Sequence, residues 1–302
     1  MTIAQADKLF MEDRAVYCSV KTLRSYACHL QVFYQYLEMR YRQPMTLLEF
    51  GSLPQEDNIY SGFILFQRGR VKNSTVRSYC RTIKVFLRWC YEEDYCRDYL
   101  KKVKLPRDDA IPKMPLYTDE VAAIDSVFDV QTIKGIRNYC IFHLMLDCGL
   151  RREEVTALKV EHLDSKRNLL SVEISKGMKS RIVLVPDFLL DAVNVYLRQN
   201  GHASGFLFRS LRSGTPITDN TVKQMFQNLK AESGVQRVHA HLLRHTFATS
   251  YLIGGGNLEF LRVFLGHTDY NVTKVYSQLA AKCKMLGVDV YQLDPIFFTR
   301  GY

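Results

Sequence analysis

The sequence predicts a mainly α-helical protein of two domains with one small β-hairpin. Three observations predict it. Two long segments near the N-terminus repeat apolar residues at three- and four-residue steps, the spacing of one helix face. A proline-bearing stretch without periodicity interrupts the chain at 105–117. One pair of short alternating segments flanks a Lys-Gly turn, which is the pattern of a hairpin. The predicted organisation is a helical domain over 1–104, a linker over 105–117, and a second domain with a C-terminal tail over 118–302.

In the first domain, Ser19 to Glu38 carries Leu23, Tyr26, Leu30, Phe33 and Leu37 on one predicted helix face. Asn73 to Glu93 repeats the plan with Val76, Tyr79, Ile83, Phe86 and Trp89. The two segments share Thr-x-Arg-Ser-Tyr at Thr22 and at Thr75, which reads as two amphipathic helices with similar jobs. Their polar faces offer Lys21 and Arg24 on one, and Lys72, Arg77, Arg81 and Lys84 on the other. One-sided positive charge on a basic chain favours phosphate contact over a merely solvated face. Pro44 to Asn58 reads as loop, followed by a short helix near Ile59 to Arg68. The linker region brings Lys101, Lys102 and Lys104, which could lie along a DNA backbone.

The second domain opens at Thr118-Asp119-Glu120 as a helix cap with acidic residues in the first turn. An apolar helix is expected near Ile136 to Leu146, and a helix after Arg151 ending near Lys159. Leu169 to Ile174 alternates as a strand, Lys176 to Lys179 turns, and Arg181 to Val185 returns. Helices are expected over Asp187 to Gln199 and Thr221 to Ser233, with Phe206-Leu207-Phe208 as a short strand between them. Asn271 suits the cap of a helix running through Tyr276 to about Leu286.

Composition narrows the function. The chain has 302 residues with a net charge of +10, a pI near 9.1 and a mean hydropathy of −0.15. A positive excess of that size favours a polyanionic partner. Apolar runs are short and the first residues lack a basic-then-apolar pattern, so a membrane is the poorer choice of anion. The eight cysteines show no CxxC pair and fall in helical segments. Reduced, mostly buried thiols in a cytoplasmic protein are expected, without a disulfide framework or zinc site.

The residues able to carry chemistry lie in the second domain. His241 and Arg244 are three residues apart, so a helix projects them from one face. Leu265-Gly266-His267 follows, with a glycine fit for a helix end, and Tyr276 comes nine residues after His267. Attack on a phosphodiester by a side chain needs cations on the non-bridging oxygens, a nucleophile, and an acid for the leaving oxygen. Arg151 and Arg244 suit the first task, since guanidinium binds phosphate bidentately and keeps its proton. The Tyr276 phenol suits the second, given a cationic pocket to help it ionise. Lys176 on the hairpin tip suits the third, with Lys179 as its rival. His241 and His267 can hydrogen-bond the phosphate or accept the phenolic proton. His239 and His245 read as packing or surface residues. No carboxylate or cysteine completes a ligand spacing around the histidines, which argues against a metal.

These residues, taken in order, resemble the catalytic domain of the tyrosine recombinase (phage integrase) family over roughly residues 118–290. Gly149-Leu150-Arg151 with Glu154 resembles the family's Gly-Leu-Arg-x-x-Glu. Ser175-Lys176-Gly177-x-Lys179-x-Arg181 resembles its Gly-Lys-Gly-x-Lys-x-Arg hairpin, with Ser175 in place of the first glycine. His241-Leu242-Leu243-Arg244-His245-Thr246-Phe247-Ala248-Thr249 resembles its His-x-Leu-Arg-His box. Cys148 stands where the family often has Thr. The N-terminal domain is similar to the family's helical core-binding domain in plan.

The resemblance implies that Arg151, His241, Arg244 and His267 hold the scissile phosphate, that Glu154 supports Arg151 from behind, and that Lys176 is the general acid. Tyr276 would attack, leaving a 3′-phosphotyrosyl bond and a free 5′-hydroxyl, with no cofactor, ATP or metal. It further implies double-stranded DNA with paired inverted-repeat core sites as partner, exchanged through a Holliday junction by a homotetramer. The expected setting is the cytoplasm of a bacterium, or a phage or mobile element. The tail is expected to dock on a neighbouring protomer, because Ile296-Phe297-Phe298 has no obvious apolar partner nearby in sequence. Two alternatives stay open: type IB topoisomerase-like relaxation, and a catalytically silent DNA-binding regulator on the same scaffold.

Overall fold

The computed structural model describes residues 3–41, 46, 49, 58–100, 104–106, 113–173, 180–266 and 270–299. The chain divides into two compact units, Met1–Ile111 and Pro112–Tyr302. The expected Pro44–Asn58 loop, apart from residues 46, 49 and 58, lies outside the described residues, as do Lys101, Lys102, Lys176, Lys179 and His267.

Unit one is helical throughout its described elements: α1 (Ile3–Ala15), α2 (Val20–Tyr41), α3 (Ile59–Gln67) and α4 (Asn73–Glu92). The apolar stripe of α4 buries Val76, Ile83, Phe86 and Trp89, and that of α2 buries Leu30, Phe33 and Leu37. The two helices pack against each other, and aromatic edges tie the cluster together, as between Phe10 and Phe86 at 5.3 Å. On the opposite faces Lys21, Arg24, Lys72, Arg81 and Lys84 are exposed. Arg77 is half-buried and donates to the Pro106 carbonyl at 2.5 Å, so it anchors the start of the linker. Lys104 is exposed.

Unit two is built on α6 (Ile133–Leu146), which is apolar on most sides and therefore central. It follows α5 (Thr118–Asp125), where the expected cap at Thr118 is corrected: Tyr117 is the N-cap, its amide held by Glu120 at 2.9 Å, and Thr118 is already helical. Thr132 caps α6 through the Gly135 amide at 3.0 Å. After α7 (Arg152–Ala157) comes a three-stranded antiparallel sheet in the order β1 (Leu163–Asp164), β2 (Leu169–Val172), β3 (Arg181–Leu184). Its register pairs Leu169 with Leu184 and Val172 with Arg181. Then follow α8 (Asp187–Asn200), α9 (Asp219–Ser233), α10 (Ala240–Ile253), α11 (Leu258–Leu265), α12 (Tyr270–Met285) and α13 (Ile296–Thr299). Helices α8 and α10 both pack on α6.

Two further expectations need correction, and the ground for a third changes. Phe206-Leu207-Phe208 forms only an isolated bridge between Lys159 and Phe206, because the backbone it meets runs straight into the short 3-10 helix Val160–His162. Helix α12 begins at Tyr270, so Asn271 sits in its first turn and not at its cap. The tail finds apolar partners in its own chain. Phe297 is buried against Phe247 and Phe264 at 5.6 and 6.1 Å between rings, and Phe298 stacks on Tyr251 at 5.8 Å. Those partners are distant in sequence, which local patterning does not reveal.

All eight cysteines are free thiols, six of them buried. Among the described residues no helix is long and apolar enough to cross a membrane.

Candidate active site

Everything at the site hangs on where the chain reverses after α6. Gly149 turns it with φ of +61°, a region open to glycine. A Cβ there would sit 2.7 Å from Phe247 Cδ1 and 3.1 Å from Leu265 Cδ2. The tight turn delivers Arg151 to the N-cap of α7. The Arg151 amide donates to Glu154 Oε2 at 2.7 Å, and its guanidinium donates to Glu154 Oε1 at 2.9 Å. One carboxylate thus holds both the backbone and the side chain of Arg151. Arg152, the neighbouring cation, pairs instead with Asp219 at 2.8 Å.

Glu154 is buried and has a second cation that sequence reasoning did not assign to the site. Arg181 donates from both terminal nitrogens to the two oxygens of Glu154, each at 2.7 Å. The pleat explains the reach: on β3 Arg181 and Val183 point inward while Ile182 is 60% exposed. A buried arginine needs acceptors for its donors, and a bidentate carboxylate pair is the strongest form. Burial alone would raise the Glu154 carboxyl, but Arg181, the Arg151 amide and Arg244 outweigh it and hold it down at about 2.

Arg244 projects from α10 and is 2% exposed. It donates to the Gly149 carbonyl at 2.7 Å and to the Leu265 carbonyl at 2.5 Å. It therefore ties the Arg151 turn to the end of α11, where Gly266 caps the helix in the left-handed region. Its Nη1 lies 4.0 Å from Glu154. Burial, then the neighbouring Arg151, push its guanidinium down to about 9, which leaves it cationic at neutral pH.

His241 lies one turn before Arg244 on α10. Burial first, then the Arg244 charge, lower its pKa, which favours the neutral ring at pH 7. Leu150, Arg151, Arg152, Glu153, His239, Ala240, His241 and Arg244 line a cleft of about 340 Å³. His239 caps α10 and accepts no helical amide; its Nδ1 lies 2.7 Å from the Arg237 carbonyl.

Tyr276 is 5% exposed on α12. Burial raises its phenol above the ordinary value, while the Arg244 and Arg151 charges pull it back. The nearby ring is His245, edge-on at 4.9 Å between centroids. Burial pushes that imidazole down to about 4, so it packs against Tyr276 as a neutral ring. The structure thus gathers Arg151, Glu154, His241, Arg244 and Tyr276, and adds Arg181. Among the described residues no group of three or more His, Cys, Asp or Glu side chains could hold a metal ion.

The sequence model of the phage integrase family matches residues 115–282. Tyrosine recombinase XerC of Chlamydia muridarum is 27% identical over 297 residues, covering 88% of this chain and 90% of that protein. Tyrosine recombinase XerC of Bacillus pumilus is 33% identical over 188 residues, covering 59% of this chain and 61% of that one. Among solved structures, the Tn1549 transposon integrase in complex with a circular intermediate DNA aligns with a TM-score of 0.75 at 18% identity, over 95% of this chain and 100% of that one. A lambda integrase dimer bound to a core site aligns with a TM-score of 0.72 at 16% identity, over 92% and 95%. At those identities the structural likeness speaks for the fold.

Proposed function

The chain belongs to the phage integrase family, and on that premise we propose that it is a site-specific DNA recombinase whose nucleophile is Tyr276. The observation that carries the reading is the arginine pair held by one buried carboxylate: Glu154 bonds Arg151 at 2.9 Å and lies 4.0 Å from Arg244, and the charges of both arginines lower the pKa of the Tyr276 phenol against its burial. Two guanidinium groups bind the non-bridging oxygens of the scissile phosphate and stabilise the charge that grows on them. The Tyr276 oxygen attacks phosphorus, and the neutral imidazole of His241 is available to take the phenolic proton. The bond to the 5′ oxygen breaks, Lys176 gives that oxygen a proton, and a 3′-phosphotyrosyl ester remains. His267 contacts the phosphate from the far side.

A 5′-hydroxyl from a partner strand then attacks the ester and releases Tyr276. Bond energy is kept in the ester, so the reading needs neither ATP nor metal. Two such exchanges pass through a Holliday junction on double-stranded DNA with paired inverted-repeat core sites, held by a homotetramer. In unit one, Lys21, Arg24, Lys72, Arg77, Arg81 and Lys84 contact backbone phosphates, joined by Lys101, Lys102 and Lys104 of the linker region. Tail exchange between protomers would require α13 to leave the Phe247 and Phe264 rings on which it rests. The place of action is the cytoplasm.

Covalent trapping on a nicked suicide duplex, taken from the DNA flanking the gene, tests the assignment. Wild type should give a protein–DNA adduct that survives denaturation, and Tyr276→Phe should give none. No adduct with wild type, or an adduct that persists in Tyr276→Phe, refutes it.

A further inference from the structure

A buried charged cluster lies outside the cleft, at the C-terminal end of α6. His143 is 2% exposed, and both of its ring nitrogens face carboxylates: Nδ1 lies 2.7 Å from Asp147 Oδ2 and Nε2 lies 3.0 Å from Asp125 Oδ1. Ionised carboxylates only accept hydrogen bonds, so both contacts are satisfied when both nitrogens carry protons. Asp147 is fully buried, and its other oxygen accepts from the Tyr291 hydroxyl at 2.9 Å. The groups facing His143 are Asp125 from α5, Asp147 and Tyr139 from the α6 segment, and the apolar rings of Phe142 and Phe188. Burial would push the imidazole down, but the two carboxylates outweigh it and hold it up at about 9.

This cluster joins two parts of the chain that the site needs in register. Asp147 lies two residues before Gly149, whose carbonyl receives Arg244, and four before Arg151. Tyr291 lies on the segment that follows the nucleophile helix. That segment is stitched to its own unit by a bridge between Val290 and Tyr117, by the Tyr291 amide to the Leu116 carbonyl, and by the Ser250 hydroxyl to the Tyr291 carbonyl at 2.6 Å. Those backbone contacts hold the segment in place; the Tyr291 hydroxyl is the contact that reaches the Arg151 turn.

We propose that the Tyr291–Asp147–His143 chain is a latch that fixes the turn bearing Gly149 and Arg151 to the segment behind Tyr276. Tyr291 and His143 are then positioning residues for strand cleavage, acting through Asp147. The cleavage part of this inference rests on the recombinase reading above.

Tyr291→Phe removes one hydroxyl and keeps the ring, so it isolates the bond. Ser250→Ala removes a different contact to the same segment and serves as the structural control. On the nicked duplex, single-turnover adduct formation by Tyr291→Phe should slow about tenfold with DNA affinity unchanged, as expected for loss of one hydrogen bond to a buried charge. Ser250→Ala should cleave at the wild-type rate even where its melting temperature falls as far. Hydrogen exchange supplies a readout that needs no activity. The Leu150 and Arg151 amides, bonded to the Leu144 carbonyl and to Glu154, should exchange faster in Tyr291→Phe and not in Ser250→Ala. Wild-type exchange at both amides in Tyr291→Phe, or equal slowing of cleavage by both variants, overturns the latch. A wild-type chain that forms no adduct overturns the functional reading, and the exchange comparison still decides the latch.

Discussion

Replacing Glu154 with Gln should expose how the arginine cluster is held. The substitution keeps the shape of the side chain and removes the charge that Arg151, Arg181 and Arg244 share. Two routes give its size. A carboxyl that titrates at about 2 in the folded protein, against an ordinary value of 4.5, contributes about 3 kcal/mol at neutral pH. Removing one partner of a buried ion pair costs about 3–5 kcal/mol, because the other charge stays buried, and Arg181 is 7% exposed. Urea unfolding of Glu154→Gln at pH 7 should therefore show a loss of about 3 kcal/mol in the second unit. The contribution is fully present above pH 4.5 and disappears as pH falls toward 2, since the unfolded chain takes up a proton that the folded one refuses. The stability of the variant should accordingly be flatter across that acid window. The double variant Glu154→Gln/Arg181→Met should recover about 1–2 kcal/mol relative to the sum of the single losses. A single loss below about 1 kcal/mol, or strict additivity in the double variant, would refute the shared-carboxylate account.

Two further predictions concern the turn and the leaving group. Gly149→Ala places a Cβ 2.7 Å from the Phe247 ring at a φ of +61°, so the turn must shift. Adduct formation should fall at least about a hundredfold, since an arginine misplaced by about 1 Å loses that much, while filter binding shows DNA affinity nearly kept. Lys176→Ala should slow cleavage strongly on an ordinary duplex yet cleave a duplex with a 5′-thio leaving group almost normally, because sulfur departs without a proton. Equal defects on the two substrates would remove Lys176 from the role of general acid.

Local patterning made some of this legible and left the rest hidden for a physical reason. The stripes of α2 and α4 showed their faces because the helix period repeats within one segment, and Arg151 and Glu154 are close because they lie three apart at a helix start. Arg181 was visible as part of a hairpin motif but not as a member of the site. The alternation Arg181-Ile182-Val183 holds a signal: it puts the arginine on the same inward face as Val183, where a cation needs buried acceptors. His143 and Asp147 are likewise four apart on α6, but Asp125 and Tyr291, which complete the cluster, come from other segments. The tail's partners within its own chain are hidden for the same reason, since Phe247, Tyr251 and Phe264 lie far upstream of Phe297 and Phe298. Contacts between distant segments carry no period, so sequence reading finds the face of a helix before it finds what covers that face.

The arginine cluster itself explains why the site is built on so much buried support. Three guanidinium groups share one buried carboxylate, and none of them can relieve the repulsion by giving up its proton. On the proposed recombinase reading, the fold accepts that cost because a bound phosphate supplies the missing negative charge, a trade of stability for function. Each cation is accordingly tied down by something other than the substrate. Arg151 has Glu154 from both its amide and its side chain, Arg181 has the same carboxylate bidentately, and Arg244 has two backbone carbonyls. In the protein without DNA, burial outweighs the arginines at Tyr276 and keeps the phenol protonated. On the proposed recombinase reading, Tyr276 is thus held in reserve until a phosphodiester enters and displaces water.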